Sequence, residues 1–99
     1  MNIDSIHIEK KKHEIIIQIK ITDYSRNDIK VEISNDSLAI SAAHTPNRII
    51  KSIPLPQHAR TEKARAYYRH NVLTILIPLQ TSHEMRMHLF HKPRILPIE

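Results

Sequence analysis

Residues 66–78, with the sequence AYYRHNVLTILIP, decide the fold. In the second half of this stretch Leu73, Ile75 and Ile77 alternate with other residues, which is the period of a β-strand with one buried face. Residues 64–68 (ARAYY), which end in two aromatic side chains, predict a second strand just before it. Between the two strands lies the pair His70-Asn71, and asparagine is a natural substitute for glycine in a tight hairpin turn. The stretch therefore predicts a β-hairpin that ends at Pro78.

The same pattern recurs through the rest of the chain. Isoleucine accounts for 18 of the 99 residues, and β-branched side chains favour strands over helices. Alternating or β-branched stretches predict five further strands, at residues 6–8, 15–21, 29–33, 38–41 and 48–53. Residues 34–37 form a predicted turn, in which Asn35 or Asp36 can take the left-handed conformation. Seven short strands at this spacing predict an all-β fold, an antiparallel β-sandwich of the immunoglobulin-like kind.

Composition excludes several classes of function. The chain has no cysteine and no glycine, which excludes a thiol nucleophile, a cysteine-type zinc site and a glycine-rich phosphate loop. Its carboxylates are scattered singly, and no serine lies in the context of an activated nucleophile. We therefore expect neither enzymatic activity nor a cofactor. No apolar run exceeds three residues and the first residues resemble no signal peptide, so we expect a cytoplasmic protein without a membrane partner.

The net charge of +5 raises the possibility of nucleic-acid binding. The positive residues, however, are scattered, and only Lys10, Lys11 and Lys12 form a run. Four aromatic residues are too few for a platform on which bases stack. A solvated basic surface explains the charge better, and we expect no nucleic-acid partner. Nucleic-acid binding would require an affinity that falls steeply with salt.

The last twenty residues differ from the rest in composition. Three histidines and two methionines lie within 83–91, a mixture that can bind zinc or copper. Only Glu84 adds a further ligand in a matching position, so a solvated arm or short helix is the preferred interpretation and no metal site is predicted. Beyond Pro93 the apolar residues Leu96, Pro97 and Ile98 return, and apolar residues near a terminus usually need a surface on which to dock.

Several of these stretches, taken in order, resemble the α-crystallin domain of the small heat-shock proteins. Residues 28–33 (DIKVEI) and 38–41 (LAIS) resemble the family's D-I-x-V and L-x-I-x strands. Residues 51–56 (KSIPLP) are similar to its R-x-F-x-L-P strand end, and 66–78 resemble A-x-x-x-N-G-V-L-x-I-x-I-P. Residues 96–98 (LPI) resemble the terminal I-x-I/V anchor. The resemblance covers about residues 6 to 98 and implies a sandwich over 1–79 with a C-terminal extension over 80–99.

The sequence departs from the family pattern at several points. His70-Asn71 replaces N-G before the last strand, and Ile21 to Asp23 replace the L-P-G that precedes the D-I-x-V strand. The first predicted strand begins almost at the first residue, so we expect a member without the family's long N-terminal arm. Only Ala42 to Asn47 separate two strands where bacterial and plant members carry a long loop with an exchanged strand. The resemblance is therefore to a short member, in which the usual strand-exchanged dimer is in doubt.

What the resemblance implies is an ATP-independent chaperone, a holdase that binds unfolding proteins and assembles through its tail. In the family layout two strands, here 29–33 and 64–68, border an apolar groove. Its implied lining residues are Ile29, Val31, Ile33, Ala64, Ala66 and Tyr68. The implied assembly anchor, Leu96, Pro97 and Ile98 of another copy, inserts into this groove. The implied partners are unfolding clients, further copies of the chain and longer family members.

Three alternatives stay open at this point. The anchor residues can dock within their own chain or remain undocked. The same fold can serve as a structural, coat-type or co-assembly protein without strong chaperone activity. A co-chaperone-like CS domain has a related sandwich, but the terminal anchor tripeptide argues against it.

Overall fold

The computed structural model describes residues 2–42, 49–80 and 92–99. Eight β-strands and two single-turn 3₁₀ helices make up this part of the chain. The strands are β1 (Asn2–Lys10), β2 (Glu14–Thr22), β3 (Ile29–Ile33), β4 (Ser37–Ala42), β5 (Ile49–Pro54), β6 (Arg65–Arg69), β7 (Val72–Pro78) and β8 (Arg94–Ile95). The 3₁₀ turns, Arg26–Asp28 and Thr61–Lys63, lead into β3 and β6.

The strands form two four-stranded sheets. The first has the order β1-β2-β7-β6 and the second β5-β4-β3-β8, and every neighbouring pair is antiparallel. The predicted all-β antiparallel sandwich is confirmed. The described strands number eight instead of seven because Arg94 and Ile95 pair with the end of β3.

The core lies between the sheets and follows the predicted period of two. Strands β2 and β3 bury every second residue, and β7 buries Leu73, Ile75 and Ile77 together with the intervening Thr74. The side chains that are fully shielded from solvent are Ile17, Ile19, Ile21, Val31, Ile33, Leu38, Ile40, Leu73, Ile75 and Ile77. Because these residues come from β2, β7, β3 and β4, the two central strands of each sheet supply most of the hydrophobic stabilisation.

Strand β1 is longer than the sequence indicated. Only residues 6–8 were predicted, whereas the strand runs from Asn2 to Lys10 and pairs with β2 along its length. β1 is the outer strand of its sheet, so its apolar residues are less regular than those of a central strand. Pairing with the strongly patterned β2 therefore defines the length of β1.

Among the residues that the structure describes, three that lack the freedom of glycine adopt positive φ angles. His70 (φ 52°) and Asn71 (φ 65°) form the turn between β6 and β7, and Asp23 (φ 67°) follows β2 at a place where the family pattern has glycine. Neither Asn35 nor Asp36 is left-handed, contrary to the possibility raised from sequence. That turn is closed instead by Ser34, whose N–H donates to the Ser37 carbonyl at 2.9 Å.

The left-handed conformation of His70 leads to a prediction about stability. A Cβ atom makes this conformation unfavourable, while glycine adopts it freely. We expect His70→Gly to raise the free energy of unfolding by about 0.5–1 kcal/mol, after subtraction of the glycine's larger unfolded-state entropy. Urea denaturation measures it. Gln57→Gly, at an exposed turn residue without a positive φ, is the control and should lower stability.

Candidate functional site

The candidate site lies on the side of the sandwich where β3 and β6 approach each other from opposite sheets. β6 is the outer strand of the first sheet, and β3 would be the outer strand of the second without the short β8. Two strand edges therefore flank one groove, and each edge has main-chain groups available for a further strand. Residues 94–99, called the tail below, lie along this groove.

The tail first pairs with β3. Arg94 lies opposite Ile33 and Ile95 opposite Glu32 in antiparallel register. The Leu96 N–H then donates to the carbonyl oxygen of Val31 at 2.8 Å. The tail thus adds a strand to the second sheet.

After Pro97 the tail pairs with β6 in the other sheet. Ile98 forms a parallel bridge with Ala66. The Glu99 N–H donates to the Ala66 carbonyl at 2.9 Å, and the Tyr68 N–H donates to the Glu99 carbonyl at 3.0 Å. Pro97 lies where the chain passes from one edge to the other, so its missing N–H leaves no hydrogen bond unmade. The tail connects both sheets through main-chain hydrogen bonds.

The side chains of the tail alternate between groove and solvent, as in any extended segment. Leu96 is only 2% exposed and belongs to the same apolar cluster as the sandwich core. Ile98 is half-buried and packs against that cluster. Ile95 and Pro97 face outward, and Ile95 is 60% exposed. Leu96 and Ile98 are therefore the two residues through which the tail gains apolar burial.

A charged pair flanks the end of the tail. The Arg65 Nη2 donates to both Glu99 carboxylate oxygens, at 2.9 and 3.1 Å, and its Nε donates to Oε2 at 3.2 Å. These hydrogen bonds, and then the charge of the guanidinium, hold the pKa of the Glu99 carboxyl below its usual range. The same hydrogen bonds and charge raise the pKa of Arg65. Both side chains are exposed, so the pair adds geometric specificity more than energy.

A second polar contact fixes the start of the tail. The Arg94 guanidinium donates to the main-chain oxygen of Thr61 at 3.0 Å. Thr61 is buried in the 3₁₀ turn that precedes β6. Arg94 thus pairs with β3 through its backbone and reaches the β6 side of the groove through its side chain.

Tyr68 holds β6 to the rest of the first sheet. Its hydroxyl lies 2.8 Å from the carbonyl oxygens of Ile21 and Tyr24, to which it can donate. Partial burial raises the pKa of the Tyr68 phenol. At neutral pH it therefore stays a hydrogen-bond donor. Its ring packs against the core cluster, so Tyr68 supports the wall of the groove.

The structure brings the predicted anchor and the predicted groove together, and it does so within one chain. Val31 and Ala66 contact the tail through their carbonyl groups, and Tyr68 through its N–H. Ile29 and Ile33 are buried in β3. Ala64 lies just before β6, because the strand spans 65–69 rather than 64–68. The insertion of this anchor into another copy stays a prediction.

Sequence reasoning missed the polar contacts of the tail. Arg94 and Glu99 flank the anchor tripeptide, and opposite charges on either side of an apolar motif are a visible signal. Their partners Arg65 and Thr61 are about thirty residues away in sequence. The tail pairs antiparallel with β3 and parallel with β6, and only this arrangement brings Arg94 and Glu99 close to these partners.

Residues 2–42, 49–80 and 92–99 contain no group of three or more metal-binding side chains. The histidine- and methionine-rich segment 83–91 lies outside these residues. Within them there is also no helix long and apolar enough to cross a membrane.

The contacts of Leu96 lead to a prediction about the groove. Leu96→Ala should weaken docking of the tail, because it removes most of its best-buried side chain. Hydrogen exchange measured by NMR should then show faster exchange of the Glu99 and Tyr68 amides, whose hydrogen bonds join the tail to β6. The Leu73 amide, in the central strand β7, is the control and should not change. Unchanged protection at Tyr68 would show that the tail does not cover β6 in solution.

The Arg65–Glu99 pair leads to a prediction about pH. Docking of the tail lowers the pKa of Glu99. The contribution of the Arg65–Glu99 pair to docking is therefore present above the usual carboxyl range and is lost as the pH falls through the lowered pKa. We expect the protection factor of the Tyr68 amide, corrected for the intrinsic exchange rate, to fall modestly in acid. In Glu99→Gln the protection factor of the Tyr68 amide should already be at the lower value at neutral pH. It should then lack the fall in acid that titration of Glu99 causes. Glu9→Gln, at an exposed position of β1 on the opposite side of the sandwich from the tail, should behave like the unaltered chain.

Comparison with known proteins identifies this architecture. No protein-family model and no curated protein sequence matches the chain. Among solved structures it is similar to a small heat-shock protein from Xylella fastidiosa, with 18% identity, a TM-score of 0.68, and coverage of 89% of this chain and 95% of that one. It is also similar to heat shock protein 16.0 from Schizosaccharomyces pombe, with 15% identity, a TM-score of 0.65, and coverage of 86% and 73%. The sandwich is therefore the fold of the small heat-shock proteins, as the sequence motifs predicted.

Proposed function

We propose that this chain is an ATP-independent molecular chaperone of the small heat-shock type. The observation that carries the proposal is the docked tail. In the groove between β3 and β6 this extended segment is bound through its backbone on both edges, with Leu96 buried and Ile98 half-buried at alternate positions. Unfolding proteins expose many segments of this description.

The groove is suited to clients of varied sequence. Main-chain hydrogen bonds contribute affinity without reading side-chain identity, and only the alternate apolar positions impose a requirement. Leu96 and Ile98 satisfy that requirement in the tail. An extended client segment with two aliphatic residues in the same relation can make the same contacts in a vacated groove. Holding a client requires no bond to be made or broken, so the proposed function needs neither a catalytic residue nor a cofactor.

The same contact supports self-assembly. Each copy has the same groove, so a tail that leaves its own chain can dock on another copy or on a longer relative. Full burial of two aliphatic side chains is worth about 3–6 kcal/mol before the cost of ordering the tail. One such link is weak and reversible, while several links in one assembly strengthen each other by avidity. The fold and the expected clients fit a cytoplasmic protein.

The proposal predicts the behaviour of the double variant Leu96→Ala/Ile98→Ala. Its mass by light scattering should fall relative to the unaltered chain, because tails no longer link copies. In a thermal-aggregation assay with a model client, it should protect at least as well per chain, because its groove is vacant. A peptide of residues 94–99 in excess should abolish this protection by filling the groove.

Controls separate this mechanism from other functions of the fold. The same peptide with alanine at positions 96 and 98 should not compete. A multimeric chain that never suppresses aggregation would contradict holdase activity and indicate a structural or co-assembly protein. If the unaltered chain and the variant are both monomers of 11.6 kDa, the tail does not link copies.

A further inference from the structure

The opposite side of the sandwich, at the outer edge of β1, carries an uncovered apolar pair. Ile6 is 36% exposed and Ile8 is 51% exposed. Their partners across the ladder, Ile19 and Ile17, are completely buried. Residues directly opposite each other in an antiparallel pair share one face of the sheet. Ile6 and Ile8 therefore continue the core-facing surface of the first sheet outward, to its edge.

The backbone of this edge is also available for pairing. Within residues 2–42, 49–80 and 92–99, β1 has only one neighbouring strand, β2. The other edge of each outer strand presents unpaired N–H and C=O groups, which form a template for another strand. An exposed apolar pair and a free backbone edge on the same strand together indicate strand addition.

We propose that β1 is an interface between two copies of this chain, in which the two β1 strands pair antiparallel about His7. This inference concerns a different surface from the tail groove and does not depend on the proposed function. The first sheets of the two copies would then form one continuous eight-stranded sheet.

The sequence of β1 supports a second copy as the partner because the strand is complementary to itself in this register. Pairing about His7 sets Ile6 of each copy opposite Ile8 of the other. Ser5 then faces Glu9, and the two His7 side chains face each other. No like charges are directly opposite in the stretch 5–9.

Neighbouring registers are less favourable. A pair centred on Ile6 sets Ile8 opposite position 4, an aspartate. A pair centred on Ile8 sets Ile6 opposite Lys10. Either shift keeps one apolar contact and places a charged residue against the other isoleucine. In the register about His7, the basic residues 10–12 of the two copies also lie at opposite ends of the paired strands.

The interface has a limited length. The pairing of β1 with β2 shifts register between Ile3 and Ser5, and such an irregularity usually ends regular pairing on the outer edge as well. The regular stretch is therefore about Ser5 to Glu9. Five residues per strand give a small contact, so we expect a weak dimer that depends on protein concentration.

Cysteine cross-linking tests the register directly, because the chain has no cysteine of its own. In the proposed dimer the two residues at position 7 face each other with Cα atoms roughly 4.5–5.5 Å apart. That separation permits a disulfide. Gln18→Cys is the matched control, since Gln18 lies beside His7 on β2 and the two copies of it would be about 14 Å apart, three strand spacings.

Under mild oxidation the full-length His7→Cys variant should form a disulfide-linked dimer. We expect it to form at least about tenfold faster than for Gln18→Cys, because pairing raises the local thiol concentration from micromolar to millimolar. Equal rates for the two variants would overturn the proposal.

A second measurement separates this interface from the tail. In the Leu96→Ala/Ile98→Ala background, light scattering at high concentration should give twice the mass of 11.6 kDa. Adding Ile8→Lys should reduce it to the monomer, while adding Gln18→Lys should not. Ile8 is half exposed, so circular dichroism should show that the fold survives. A dimer that persists with Ile8→Lys, or a tail variant that is already monomeric at that concentration, would overturn the proposal, whatever the outcome for the tail.

Discussion

The main-chain groups along the outer strands are the constraint on which this structure depends. A β-sandwich satisfies the backbone hydrogen bonds of its central strands, but each outer strand retains one row of donors and acceptors without a strand partner. On one side of the sandwich the tail supplies partners to both sheets at once, with antiparallel pairing to β3 and parallel pairing to β6. Residues 94–99 thus provide hydrogen-bond partners for strand edges that the sandwich itself leaves unpaired.

The interior could be predicted from sequence with little loss. Aliphatic residues at every second position of β2, β3 and β7 indicate one buried face in each strand, and the structure buries all of these residues. The ordered motifs also singled out residues 96–98 and the strands at 29–33 and 64–68, which the structure brings into contact within one chain. These features are local, since each is contained in one strand or one short segment, and local patterns are the kind that a single sequence preserves.

The features that escaped prediction depend on partners distant in sequence or on hydrogen bonds within a turn. The length of β1 follows from its pairing with β2. The turn at Ser34 closes through a serine without a left-handed residue, whereas His70 does adopt the left-handed conformation beside Asn71. The contact between Arg65 and Glu99 joins residues that are 34 apart in sequence, and it forms because the tail pairs with β3 and then with β6. Whether the tail docks in its own chain or in another is outside the reach of sequence, because the contacts are the same in both.

The equal numbers of tails and grooves have a consequence for regulation. Each chain contributes one of each, so in any assembly with every tail docked, every groove is filled. Under the proposed holdase function, an extended client segment would then compete with a tail for each site, and the concentration of vacant sites would equal the concentration of released tails. The dissociation constant of the tail would thus set a threshold concentration of exposed apolar segments. Below this threshold, tails would fill the grooves and no client would be bound. Changes that loosen the tail, among them loss of the Arg65–Glu99 pair, would lower this threshold without any change to the groove itself.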